Sequence, residues 1–234
     1  MPEKENLLFL PGLLCDAAMW THQAEHLAEI AQITSANFTS SDSMGGMAEA
    51  ALSAVEGNFA LAGLSMGGYV AFEIMRRAPE RVTKLALLDT SPRSDTEEQT
   101  ERRHQLMQLT RDGKFDEVLA IFLSQLIHPD RMKDEALCTE IGEMNRRIGP
   151  ETYLRQQKAI IGRPDSRDGL GRITCPALVL CGRHDALTPL DIHEEIVRLI
   201  PNSRLAVIED CAHMSAMEQP QAVTGMLRDW LLYQ

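Results

Sequence analysis

The stretch Phe59-Ala60-Leu61-Ala62-Gly63-Leu64-Ser65-Met66-Gly67-Gly68-Tyr69-Val70-Ala71 decides the fold. Its first six residues are an apolar run of the length that suits a strand buried on both faces. Val70, Ala71 and Ile74 then open a helical pattern that ends near Arg76, Arg77 and Pro79. Between the two lies G-x-S-x-G, in the strand, turn and helix context that this motif needs. The glycines have a steric reason. A serine on so sharp a turn takes strained backbone angles, and Gly63 and Gly67 remove Cβ atoms that would strike the neighbouring strand and helix. The turn lifts Ser65 Oγ clear of the sheet, and the N-terminus of the next helix offers partial positive charge to an oxyanion.

Outward from this turn, apolar runs at 7–10, 84–88 and 177–181 repeat the strand pattern, and 33–38 and 204–208 are weaker candidates. Six strands alternating with helices predict an α/β doubly wound sheet. Asp16 is placed to cap a helix with Trp20, Ala24, Leu27 and Ala31 facing inward. Thr188, Pro189 and Asp191 read as N-cap, first-turn proline and first-turn acid of a helix with Ile192, Ile196 and Leu199 on one face. A last helix begins near Pro220, with Val223, Met226, Leu227 and Trp230 inward. Residues 93–172 differ. They show no strand pattern but four helical stretches, divided at Gly113, Pro129, Gly149-Pro150 and Gly162-Arg163-Pro164. Phe115, Leu119, Phe122 and Leu126 recur there at helical period, as do Leu137, Ile141, Met144 and Ile148. The expectation is one core domain, 1–92 and 173–234, with a helical cap of residues 93–172 inserted between two strands.

Composition narrows the partners. The 234 residues are 44% hydrophobic and 24% charged, with 15 Gly and 11 Pro, which excludes disordered and collagen-like chains. Against 23 basic residues stand 34 acidic ones, a net charge of −11 that repels phosphate backbones and anionic headgroups. Neither nucleic acid nor membrane is expected as a partner. No apolar stretch approaches the ~20 residues of a membrane helix, and the first run, preceded by Glu3 and Glu5 and broken by Pro11-Gly12, reads as a strand rather than a leader. Five cysteines without C-x-x-C spacing signal neither a disulfide framework nor a zinc site, so a reducing cytoplasm is the expected compartment.

A serine hydroxyl is nearly unreactive at neutral pH unless a base takes its proton, so a histidine and an orienting acid are required elsewhere. Of seven histidines, His213 stands out: Cys211-Ala212-His213-Met214 follows the strand candidate 204–208, which puts it at the same sheet edge as Ser65. His22 and His26, four apart on a helix, have no third ligand nearby and read as a solvated face. His104, His128 and His193 read as helical surface. For the acid, Asp185 follows the strand at 177–181 and gives the chain order Ser65, Asp185, His213. Asp89 closes the strand at 84–88 on the same edge and is the rival; Asp210 reads as a turn residue. An oxyanion hole needs two backbone N–H groups, for which Met66 and Leu13, in the loop Pro11-Gly12-Leu13, are the candidates.

With these residues in hand, the chain resembles the α/β-hydrolase superfamily over nearly its whole length. Its short size and four-helix cap are similar to the carboxylesterase-like branch that includes the pimeloyl-carrier-protein methyl ester esterases. The resemblance rests on Gly63-Leu-Ser65-Met-Gly67-Gly68, Gly182-Arg-His-Asp185, Cys211-Ala-His213-Met-Ser with Glu218-Gln-Pro220, and Pro11-Gly12-Leu13 with Trp20 downstream. Many relatives read His-Gly where this chain has Pro11-Gly12. The run at 7–10 matches the usual third strand, which implies a shorter sheet with every strand parallel. The implied activity is hydrolysis of a small carboxylic ester or lactone through an acyl-enzyme, with no metal or organic cofactor. Cleavage of a C–C bond, or lyase or synthase chemistry, on a carbonyl substrate uses the same triad, and a non-catalytic ligand receptor is the third reading. The pocket is expected between cap and core, where methionines and leucines suit an apolar acyl or alcohol portion. Arg146 and Arg147 read as a solvated helix face.

Overall fold

Six strands form one sheet in the order β2-β1-β3-β4-β5-β6, with β1 at Glu5–Leu10, β2 at Ala31–Ser35, β3 at Phe59–Leu64, β4 at Val82–Leu88, β5 at Ala177–Gly182 and β6 at Ser203–Ile208. Every neighbouring pair is parallel. This is a computed structural model, and it describes residues 4–233. The central strands are apolar throughout because both their faces are covered. Leu8, Leu10, Leu61, Leu85, Leu87 and Val179 pack under α2 (Met44–Ser53), α3 (Met66–Arg77) and α9 (Leu190–Leu199). Their alternates Leu7, Phe9, Ala60, Ala62, Leu88 and Leu180 pack under α1 (Thr21–Leu27) and α11 (Pro220–Tyr233), the latter preceded by the single turn α10 (Ser215–Glu218). Trp20 stacks on Phe9 with ring centroids 4.4 Å apart, anchoring that second layer.

Between β4 and β5 the chain leaves the sheet for four long helices, α4 (Glu97–Arg111), α5 (Phe115–Leu126), α6 (Glu135–Ile148) and α7 (Pro150–Ile161), followed by the single turn α8 (Arg167–Leu170). Thr96 and Gln99 close a capping box at the start of α4. Met107, Val118, Leu119 and Tyr153 give these helices a cluster of their own, and Leu14 of the β1 loop joins it. The chain runs from β1 outward to β2 and returns to the other side at β3, so a topological switch point lies between β1 and β3. Loops from the carboxyl ends of adjoining strands part there and leave a crevice. Leu13 follows β1 and Ser65 follows β3, one on each side of it.

Several local expectations are corrected. The helix after Asp16 is split: Asp16 caps a 3-10 turn at Ala17–Trp20, α1 ends at Leu27, and Ala31 opens β2, pairing with Glu5. Pairing with β1 overrides the helical spacing, and β2 ends at Ser35 rather than residue 38. Helix α2 has a pattern weakened by two glycines; Ser43 caps it and Met44, Met47, Ala48 and Ala51 are its buried face. Met226 is exposed on α11, outside the buried face of Val223, Leu227 and Trp230. His193 is fully buried, not on the surface, because it shares the inward face of α9 with Ile192 and Ile196. Among the described residues no helix is long and apolar enough to cross a membrane.

The glycines of the turn are held to their size. A Cβ on Gly67 would run into the backbone carbonyl oxygen of Leu10, and one on Gly63 into that of Gly67. Backbone cannot step aside as a side-chain tip does, so Gly67→Ala is expected to cost about 1–3 kcal/mol, the range for overpacking. In a chain of this size that lowers Tm by about 2–12 °C. Differential scanning calorimetry checks it, and an unchanged Tm would contradict the packing described.

Candidate active site

Ser65 stands at the N-terminus of α3 with φ 54° and ψ −114°, a left-handed backbone that a β-carbon disfavours. Neighbouring segments hold it there. Its N–H donates to Leu88 O at 2.9 Å, and Thr90 Oγ1 donates to its carbonyl oxygen at 2.8 Å. The hydroxyl lies 2.8 Å from His213 Nε2, and His213 Nδ1 lies 2.8 Å from Asp185 Oδ2. The three residues named from the sequence are thus joined in one hydrogen-bonded line across 148 and 28 positions of chain.

Asp185 is fixed on both oxygens. Leu187 and Thr188 N–H donate to Oδ1 at 2.8 and 3.0 Å, and Thr188 Oγ1 donates to Oδ2 at 2.6 Å. Thr188 is therefore not the cap of α9, a place taken by Pro189; its hydroxyl faces Asp185 instead. Asp89, the rival acid, touches the histidine loop from elsewhere. Its Oδ1 accepts from Gly182 N–H at 3.0 Å and its Oδ2 from Ser215 N–H at 3.2 Å and from the Ser215 hydroxyl. It makes no hydrogen bond to His213 among the described residues, so it ties the ends of β4 and β5 to the loop after His213.

Environment separates the two carboxylates. Burial pushes both up, but the His213 charge and hydrogen bond and the Thr188 donors outweigh burial at Asp185, which is held below the usual carboxylate range. At Asp89 burial wins, reinforced by the charge of Asp185, and its carboxyl is raised. For His213 burial works downward, yet Asp185, with smaller help from Asp89 and Glu218, holds the imidazole above its ordinary value. His193 goes the other way: burial lowers it to about 4, so it is neutral, accepting from Thr90 N–H at 3.0 Å. It braces the segment after β4.

A second buried carboxylate frames the histidine. Glu218 Oε1 accepts from Ala212 and Met214 N–H, at 3.0 and 3.3 Å, on either side of His213, and Oε2 accepts from His128 N–H at 2.6 Å. Leu126 O, at the end of α5, accepts from the N–H of both His213 and Met214. The loop carrying His213 is thus bonded directly to the cap. On the other side, Leu14 has φ 59°; its N–H donates to Gln156 Oε1 and its carbonyl accepts from Asn145 Nδ2, both at 2.9 Å. Beside it, Leu13 N–H donates to no acceptor among the described residues. Met66 opens α3, so its N–H has no carbonyl one turn back.

These groups surround a cavity of about 450 Å³ whose wall includes Leu13, Ser65, Phe122, Leu187, His213 and Met214, between the sheet edge and the cap. The bystanders are settled by contacts. His22 bonds Thr224 and stacks on His26 at 4.0 Å, and no metal-holding cluster occurs among the described residues. Arg146 and Arg147 pair with Asp116 and Asp16 on the surface. Cys15 and Cys181 are pushed by burial to about 12, which makes their thiols inert.

The imidazole offers a direct check. By NMR of ring-labelled protein, His213 should titrate above the ordinary histidine value. In Asp185→Asn, with the largest raising influence gone and only the smaller ones of Asp89 and Glu218 left against burial, it should titrate lower. An upward or absent shift would contradict the geometry.

Comparisons with known proteins agree with this architecture. A family model described as alpha/beta hydrolase fold matches residues 56–220. The 2-hydroxy-6-oxononadienedioate/2-hydroxy-6-oxononatrienedioate hydrolase of Paraburkholderia phymatum is 31% identical over 73% of the chain, an alignment that spans 61% of that relative's length. The pimeloyl-[acyl-carrier protein] methyl ester esterase of Chromobacterium violaceum is 28% identical over 72% of the chain and 68% of its own. Among solved structures, a thermophilic esterase from Thermogutta terrifontis superposes with a TM-score of 0.89 at 30% identity, over 97% of this chain and 89% of that one. The sheet order, the serine turn and these matches together place the chain in the alpha/beta hydrolase fold family.

Proposed function

We propose that the chain is a serine hydrolase that cleaves a small carboxylic ester or lactone through an acyl-enzyme. The observation that carries this reading is His213 Nε2 at 2.8 Å from Ser65 Oγ while its Nδ1 sits 2.8 Å from Asp185 Oδ2. In this reading Ser65 Oγ attacks the carbonyl carbon as His213 Nε2 takes its proton. Asp185 holds the imidazole in the tautomer that accepts at Nε2 and stabilises the imidazolium that forms. The tetrahedral oxyanion is received by the N–H groups of Leu13 and Met66. His213 then gives its proton to the leaving alcohol, and water, activated by the same imidazole, releases the acid. All of this uses groups of the chain itself and calls for no cofactor. The esterase relatives support it, as does the apolar part of the cavity wall.

A second reading draws on the similarity to the hydrolases of 2-hydroxy-6-oxononadienedioate. A hydroxy-oxo-dioate contains no ester, so its hydrolysis breaks a C–C bond beside a ketone, with the same serine and histidine acting on the carbonyl. An acyl-enzyme on an ester substrate separates the two.

Ser65→Ala is expected to lower kcat on a cleaved ester by about 10⁴–10⁶, since such groups act as a unit. A fluorophosphonate should add one mass equivalent to the folded wild type, mapped to Ser65 by peptide mass spectrometry. Wild-type turnover in Ser65→Ala, or labelling elsewhere, would overturn the reading.

A further inference from the structure

The cavity over Ser65 carries a charge opposite to that of the molecule. In a chain of net charge −11, its wall holds four arginines, Arg93, Arg102, Arg103 and Arg163, against two aspartates, Asp95 and Asp191. Arg93 is paired with Glu195 at 2.8 Å. The other three are differently placed. Asp95 is buried between Arg103, whose Nε donates to Oδ2 at 2.6 Å, and Arg163, whose Nη1 lies 2.8 Å from Oδ1. Only 2% of the Asp95 side chain and 6% of that of Arg163 are exposed. One buried carboxylate between two guanidiniums, Arg103 with 21% of its side chain exposed at the cavity, leaves one positive charge in excess, which an anion entering the cavity would neutralise.

The spare donors are in place to receive one. Arg163 is held by its Nε on Arg93 O and its Nη1 on Ile160 O, with its Cζ 4.3 Å from the ring centroid of Tyr69. Arg103 Nη1 donates to Gln157 Oε1 at 2.9 Å. The Nη2 groups of both donate to nothing among the described residues, and Arg102, exposed on α4 at the cavity wall, has no ion pair there. Fixed guanidinium forks with free Nη groups match the geometry of a carboxylate. Tyr69, on whose ring Arg163 is stacked, lies in the helix that Ser65 caps, and Ser65, Tyr69, Arg103 and Arg163 line one and the same cavity.

We propose that this end of the cavity is an anion subsite, and that the substrate is an ester bearing a free carboxylate, received by Arg102, Arg103 and Arg163 while Ser65 attacks the ester carbonyl. The reaction rests on the hydrolase reading; the binding does not. The test compares monomethyl glutarate with neutral dimethyl glutarate, which share one carbon skeleton. The wild type should prefer the monoanion by at least about 10-fold in kcat/KM. Arg102→Ala and Arg103→Gln should each cut that preference by about 10- to 100-fold, the range for a hydrogen bond to a charged group, mainly through KM. Arg103 also holds Asp95, so its variant is read beside Arg102→Ala, whose side chain is exposed. Calorimetry of glutarate with Ser65→Ala should show saturable binding that weakens when Arg102→Ala is added. Equal or better turnover of the diester, a preference that survives both arginine variants, or no glutarate binding to Ser65→Ala would each overturn the subsite. Glutarate binding without turnover of either ester would overturn the hydrolase reading and leave the subsite standing.

Discussion

The rest of the site depends on the backbone of Ser65 being held where a side-chain-bearing residue does not rest by itself. At φ 54° the residue pays a local cost of about 1–3 kcal/mol, and contacts on both sides offset it. Its N–H is bonded to the end of β4, its carbonyl to Thr90, and the close approach of Gly63, Gly67 and Gly68 to their neighbours leaves the turn no room to relax. The result is a hydroxyl presented above the sheet edge with the start of α3 behind it. A loop serine of the same sequence, free to rotate, would have no fixed relation to an imidazole.

Convergence then falls to buried carboxylates. Asp185, Asp89 and Glu218 are all withdrawn from solvent, and each is occupied by several donors. Asp185 orients the ring, Asp89 joins β5 to the residue two beyond His213, and Glu218 receives the N–H groups on both flanks of His213. Because Glu218 also accepts from His128, and Leu126 O receives the His213 N–H, the cap is part of the scaffold of the His213 loop rather than a cover laid over it. Asn145 and Gln156 do the equivalent for the β1 loop. Core and cap share one polar frame, and shifting either would move the imidazole or the loop of Leu13.

The fold, and the positions of Ser65 and His213 at one sheet edge, were legible in the sequence because each is announced by local pattern. A fully apolar run followed by G-x-S-x-G specifies its own strand, turn and helix, and Asp185 and His213 each sit just past a strand end. Whether Asp89 or Asp185 faces the imidazole was not legible, since both follow strands at one edge and only the loop geometry separates them. Glu218 was visible only as part of a resemblance, and Thr188 read as a helix cap. His193 was misplaced because a histidine beside isoleucines on an amphipathic helix gives no sign of which face the boundary includes. The arginines around the cavity are scattered over residues 93–163, so only their tertiary meeting shows a charge opposite to that of the chain.

The proposed joint action of Ser65 and His213 carries a distinct kinetic signature. The most direct measurement is the single-turnover cleavage rate of one ester by the wild type, Ser65→Ala, His213→Ala and the double variant. If the two side chains act as a unit, the double variant is no slower than the slower single one, within a few-fold, because either change already removes the unit. Losses that multiply would show two independent contributions and contradict it.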